Sequence, residues 1–326
     1  MTSVDCVLLV GFGGPEGPED VLPFLDNVTR GRGVPPERLA EVGRHYLEAF
    51  GGVSPINQQC RELKAALEQA LPELPVYWGN RNWHPFLADT MKAMAADGRR
   101  HALALVTSAF PSYPGCRQYQ EDIARALVPG GPQVSKLRHF YNEPGFLDTM
   151  RRNVEVAAED LDDPRLVFTA HSIPLVLAQT SGPSGDAYVT TLRRAAEQIA
   201  GDRRWDLVFQ SRSGPPQVPW LEPDVCDHLR ALTDKEVVLV PLGFVSDHVE
   251  VVYDLDMQAA GVAQQLGISL RRAKTVGTDP EFVTMLAGLV RERIAGPERD
   301  DHGGLATHDR CPAQCCPSPP ARSPRG

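Results

Sequence analysis

The chain has 326 residues, 42% hydrophobic and 23% charged, with a formal net charge of -9. This length exceeds one ordinary hydrophobic core and fits two domains of roughly 150 residues, while the acidic balance argues against a nucleic-acid footprint, which needs a basic patch. No apolar stretch reaches the roughly 20 residues that span a bilayer. The opening MTSVDCVLLVGF has Asp5 and no basic flank, so it reads as a first strand instead of a signal peptide, and a cytoplasmic protein is expected.

Taken in order, apolar runs recur as VDCVLLVGF, PVYWGN, HALALVTSAF and QVSKLRHF, then RLVFTAHS, WDLVFQSRS, EVVLVPLGF and LRRAKTVG. Between several of them lie amphipathic segments such as CRELKAALEQAL and AYVTTLRRAAEQIAG, with apolar residues three and four apart. Strands that alternate with helices imply parallel βαβ units. The expected fold class is therefore α/β: two Rossmann-like domains, each a four-stranded parallel sheet flanked by helices. The expected division is 1–150 for the first domain, 151–300 for the second and 301–326 for a Cys/Pro-rich tail. The last helix of the second domain is expected to reach the first, and a helix in YNEPGFLDTMRRNVEVAAEDL bridges the two. The tail, from Gly303 on, has no apolar periodicity and is expected to be disordered without a ligand.

The first strand runs into GFGGPEGPEDVLPFL, which partly matches a dinucleotide fingerprint. Glu16 occupies its third glycine position and sets a carboxylate where pyrophosphate would approach, so a tight turn lining a cleft is the better reading. In LVFTAHSIP the strand must stop before Pro174, which lacks an N–H and turns Ile173 away from helical geometry. His171 then stands at the carboxyl end of a strand, where α/β sheets place ligands. A buried, hydrogen-bonded histidine is the plain alternative. In PLGFVSDHVEVVYDLD a strand is followed by a helix capped by Ser246 or Asp247, with Glu250 and Asp254 four apart on one face. That pair is either a solvated helix face or part of the same cleft as His171.

Seven cysteines, an odd number, speak against a disulfide framework. Cys311, Cys315 and Cys316 form C-x3-C-C in the tail, a weak metal signal by itself. Cys6, Cys60 and Cys226 fall within strand or helix patterns and read as buried small apolar residues.

Together TAHSIP, GFVSDHVEVVYDLD, GFGGPEGPEDVLPFL and TRGRGVPPERL with GGVSPIN resemble the ferrochelatases, which insert ferrous iron into a porphyrin, over essentially the whole chain to about residue 295. The likeness is to the actinobacterial branch, whose members use coproporphyrin III. It implies the chelatase fold with a porphyrin cleft between the domains, with Fe2+ and a porphyrin as substrates. It also implies His171 and Glu250 as the metal-and-proton pair, and porphyrin contacts at Ser54 and Tyr119, with Arg30 and Arg32 available to propionates. An outer carboxylate of the family is replaced here by Gln258, and an axial tyrosine of some members by Glu16. The resemblance further implies a [2Fe–2S] cluster on Cys116, Cys311, Cys315 and Cys316, and transient contact with neighbouring haem-pathway enzymes. Protoporphyrin IX is an alternative substrate, and a non-catalytic tetrapyrrole carrier an alternative function.

Overall fold

A computed structural model describes residues 4–31, 33–214, 217–296 and 308–318. The first half runs β1 (Cys6–Gly11), α1 (Val21–Thr29), α2 (Pro36–Phe50), α3 (Ile56–Ala70), β2 (Val76–Asn80), α4 (Leu87–Ala96), β3 (His101–Val106), α5 (Gln118–Ala126) and β4 (Gln133–Lys136). After α6 (Pro144–Ala158) come β5 (Arg165–His171), α7 (Leu175–Gln179), α8 (Ala187–Ala200), β6 (Trp205–Gln210), α9 (Val225–Ala231) and β7 (Glu236–Val240). A one-turn α10 (Val249–Val251), a π-helix (Val252–Ala259), α11 (Ala260–Leu266), β8 (Ser269–Arg272) and α12 (Pro280–Ala295) follow.

The strands form two parallel four-stranded sheets, ordered β2-β1-β3-β4 and β6-β5-β7-β8. The two orders are the same pattern used twice, as the expectation of two four-stranded sheets required. In each sheet the chain moves outward from its first strand and then returns to the other side. The crevice above the carboxyl ends of the first and third strands is the switch point where such sheets bind ligands. In the second sheet those strands are β5 and β7.

Helices cover both faces of each sheet, so the strands are apolar without a polar side. Alternate residues of β1 divide accordingly: Val7 and Leu9 enter one core, Cys6, Leu8 and Val10 another. The first of these cores is continuous with Leu166, Phe168 and Ala170 of β5 and is shared by both halves. Between them lie α6 and α12, whose Phe146 and Phe282 pack around Phe140 at centroid distances of 6.0 and 5.6 Å. Arg291 of α12 pairs with Glu73 in the first half at 2.8 Å. Beyond β7 the backbone lies so close to β5 that a Cβ on Gly243 would stand 2.8 Å from Ala170 Cα, and only glycine fits.

Candidate active site

His171 is the last residue of β5, and its backbone carbonyl accepts from Tyr188 Oη at 2.9 Å. Its ring Nδ1 donates to the Ser172 carbonyl oxygen, and its Nε2 faces Glu250 Oε1 at 3.1 Å. A carbonyl only accepts, so the Nδ1 hydrogen is fixed. A neutral ring would then turn a lone pair toward a carboxylate, and the pair takes up a proton to avoid this. Burial by itself would push His171 down, yet the Glu250 charge and hydrogen bond lift it to about 9. Burial pushes Glu250 up, but His171 and His248 hold it at about 2. The side chains are 29% and 37% exposed, so the pair opens onto the crevice.

Glu250 is held from its backbone as well. Gln210, ending β6, donates to its carbonyl oxygen, and its N–H donates to His248 Nδ1 at 3.2 Å. His248 is therefore the cap of this helix, not Ser246 or Asp247. Asp247 is already committed to Arg272 at 3.2 Å and to Thr275 at 3.2 Å, and its backbone exchanges two hydrogen bonds with Gln59 of α3. The helix also differs in kind. After one α turn it winds as a π-helix, a geometry concentrated at functional sites. Asp254 lies on this wider turn, where Ser211 donates to its Oδ2. Burial, with a contribution from Glu250, raises Asp254 to about 7. Ser211 has φ of +63°, a left-handed conformation that costs a non-glycine residue roughly 1 kcal/mol and persists here beside the acid.

From the first half, α2 leans over this group. Tyr46 is buried and its hydroxyl is pushed up by burial and by the charges of Glu250 and Asp254. Next to it His45 stacks on Tyr253 of the π-helix at 3.9 Å. Phe12, Trp83 and Val249 pack on the same cluster, which brings the glycine turn toward the site. Ser54 is buried, and its N–H donates to the Pro15 carbonyl at 2.9 Å, which straps GGVSPIN onto that turn. Glu16 pairs with Arg61 at its rim. Tyr119 is buried with the Arg81 guanidinium 4.7 Å over its ring. Arg30 is exposed at the end of α1, and Arg32 lies outside the described residues. His45, Tyr46, Tyr188, Gln210, Ser211 and His248 escaped the sequence reading. Of these only His248 left a local signal, as a polar residue directly before VEVVYDL.

The tail forms a second site. Contrary to the expectation of disorder, residues 308–318 pack against the protein, because Arg117 donates to the Pro312 carbonyl at 2.7 Å and to the Cys315 carbonyl at 2.9 Å. Cys116 Sγ lies 3.9 Å from Cys311 Sγ, and Cys315 Sγ 3.9 Å from Cys316 Sγ. The adjacent pair separates because Cys316 adopts φ of +50°. Both distances match the edge of a metal–thiolate tetrahedron, about 3.8 Å for bonds near 2.3 Å. Gln120 donates to Cys311 Sγ at 3.4 Å and the Gly182 N–H to Cys316 Sγ at 3.1 Å. The four thiols therefore lie as two close pairs, and Gly182 attaches the tail to the second half as well as the first. His308 is buried among them, a donor the sequence reading passed over. Cys6 and Cys60 are buried, with thiols pushed up to about 12 by burial, whereas Cys226 is only half-buried because it sits in the first turn of the short α9.

Residues 4–294 match the family model described as Ferrochelatase. A "Coproporphyrin III ferrochelatase" of Streptomyces coelicolor is 50% identical, covering 98% of this chain and 94% of its own. One from Frankia alni is 51% identical, covering 99% and 89%, and a "Ferrochelatase" of Rhodopirellula baltica is 47% identical, covering 98% and 95%. Among solved structures, SirB from Bacillus subtilis with Fe3+ superposes with a TM-score of 0.58 at 10% identity, over 90% of this chain and 96% of that one. CbiX, the terminal enzyme of siroheme biosynthesis in denitrifying bacteria, gives 0.53 at 17%, over 88% and 99%. At these identities the likeness concerns the fold, the two-sheet chelatase architecture.

Proposed function

The chain belongs to the ferrochelatase family, and on that premise we propose that it inserts ferrous iron into coproporphyrin III to form the iron porphyrin. Curated relatives of that name at about half identity over nearly full length support the substrate. The observation that supports the catalytic roles is the 3.1 Å contact between His171 Nε2 and Glu250 Oε1 at the crevice.

Insertion releases two pyrrole protons for each Fe2+ that enters. At rest the Glu250 charge keeps His171 protonated, so the ring is neither base nor ligand. Arrival of ferrous iron at the carboxylate cancels the charge that held this proton, which leaves Nε2 for Asp254 and solvent while Nδ1 stays anchored on Ser172. The neutral ring then accepts the pyrrole protons in turn. Asp254, near neutrality, passes them outward along the π-helix. Imidazole and a single carboxylate hold Fe2+ loosely enough for transfer to four porphyrin nitrogens, and Nε2 changes from ligand to base as the iron leaves it.

Porphyrin contacts fall to Ser54 and Tyr119 through the walls they build, and the propionates to Arg30 and Arg32. Cys116, Cys311, Cys315 and Cys316 would hold a [2Fe–2S] cluster, which supplies a one-electron redox centre and ties the tail to both halves. Anaerobic incubation with Fe2+ and either porphyrin, followed by visible absorbance, tests the reading: coproporphyrin III should be metallated faster than protoporphyrin IX.

A further inference from the structure

The tail pocket contains more donors than a four-thiolate cluster uses. His308, Cys311 and Cys315 place one ligand atom each within 4.8 Å of one another, and His308 Nε2 is 3.9 Å from Cys315 Sγ. We propose that these three residues form a mononuclear divalent-metal site, a Cys2His chelate for Zn2+ or Co2+ whose fourth position is open to Cys116 or water. It goes beyond the proposed function and shares Cys311 and Cys315 with the [2Fe–2S] ligand set, so the pocket holds one or the other.

Three features support the chelate. All three ligands lie within eight residues of one turn, which the Cys315 N–H closes on the Pro312 carbonyl at 3.0 Å, so binding needs no long-range loop closure. With water in the fourth position, two thiolates and one neutral imidazole around a divalent ion make a neutral complex, the cheapest charge state for a buried pocket. Imidazole with thiolate is also the donor set that suits Zn2+ and Co2+. Around the ligands, Gln120 donates to Cys311 Sγ and Arg117 fixes the carbonyl of Cys315, supports of the kind that orient metal ligands. Cys316 is turned to the Gly182 N–H and is not part of this set. Binding releases a proton from each thiol that was protonated and involves no electron transfer.

The test is anaerobic titration of the full-length, metal-stripped protein with Co2+, following thiolate-to-cobalt charge-transfer absorption. Wild type and Cys316→Ser should both bind one equivalent, and His308→Ala should bind roughly 10–100-fold more weakly. Equal affinity in His308→Ala, or loss of binding in Cys316→Ser, overturns the site. Should His308→Ala melt early in the absence of metal, His308→Cys carries the test. Added charge-transfer intensity from a further thiolate supports ligation at 308, and unchanged intensity refutes it. Reconstitution with iron and sulfide separates this site from the cluster, which should form in wild type and His308→Ala but not in Cys316→Ser. Failure to form it in wild type would remove the cluster and leave the cobalt result standing.

Discussion

His171 Nε2 and Glu250 Oε1 lie 3.1 Å apart although 79 residues separate them in the chain. They meet because β5 and β7 are neighbours in the second sheet, joined in register from Arg165 with Val237 to Phe168 with Val240. His171 ends its strand, and Glu250 stands in the helix ten residues beyond the end of its own. Gly243 lets the β7 exit run close against Ala170, next to His171.

Replacing Glu250 by Gln removes the charge that lifts His171 while leaving the burial that depresses it. In wild type the neutral imidazole of the free enzyme is gained as pH rises through about 9, so kcat/KM should climb toward that value. In Glu250→Gln the limb should move below the ordinary histidine value of about 6.5, with a maximum lowered by roughly 10²- to 10⁴-fold. An unmoved limb would show that Glu250 does not set the proton on His171.

The same pair contributes to stability with a definite sign. His171 is raised on folding, so its contribution is complete below about 6.5 and disappears as pH rises through about 9. Glu250 is depressed, so its contribution is present above about 4.3 and is lost as pH falls through about 2. The Tm difference between wild type and Glu250→Gln should be largest between about pH 4.3 and 6.5. A difference that grows from pH 7 to 9 would contradict the pairing.

Asp254→Asn should matter less than Glu250→Gln, because in the proposed mechanism Asp254 conveys protons beyond the pair instead of meeting the substrate. The variant should lose the part of the pH profile that rises through about 7. Greater damage from Asp254→Asn would reverse the inner and outer order.

Much of the fold was legible because both sheets are covered on both faces. Their strands are then short apolar runs such as CVLLVG and EVVLV that stand out from amphipathic helices. His171 and Glu250 were legible as candidates because one ends such a run and the other stands in the helix that follows one, and only the family resemblance gave them roles. The π-helix was not, since its winding depends on which carbonyls pair and the residues VYDLDMQA fit an α-helix equally well. Tyr188, Gln210 and α2 come from other elements, and only tertiary packing brings them to the pair. Residues 308–318 depart from the disorder implied by their composition, which shows no core. Their order comes from polar anchors, chiefly Arg117, and from thiols buried against both halves.

With the proposed cluster in place, anaerobically purified protein should be reddish-brown with about two irons per chain, and Cys116→Ser should bleach it. Cys226→Ser should keep the colour, since Cys226 lies on α9 and pairs with no other thiol among the described residues. Colourless wild-type protein after reconstitution would exclude the cluster.

Whether His171 takes the pyrrole protons is read from anaerobic Fe2+ insertion into coproporphyrin III by His171→Ala, with porphyrin binding followed in parallel by fluorescence quenching. The predicted result is porphyrin affinity close to wild type with insertion slowed at least 10²-fold. Near-normal insertion by a folded His171→Ala protein would contradict the account.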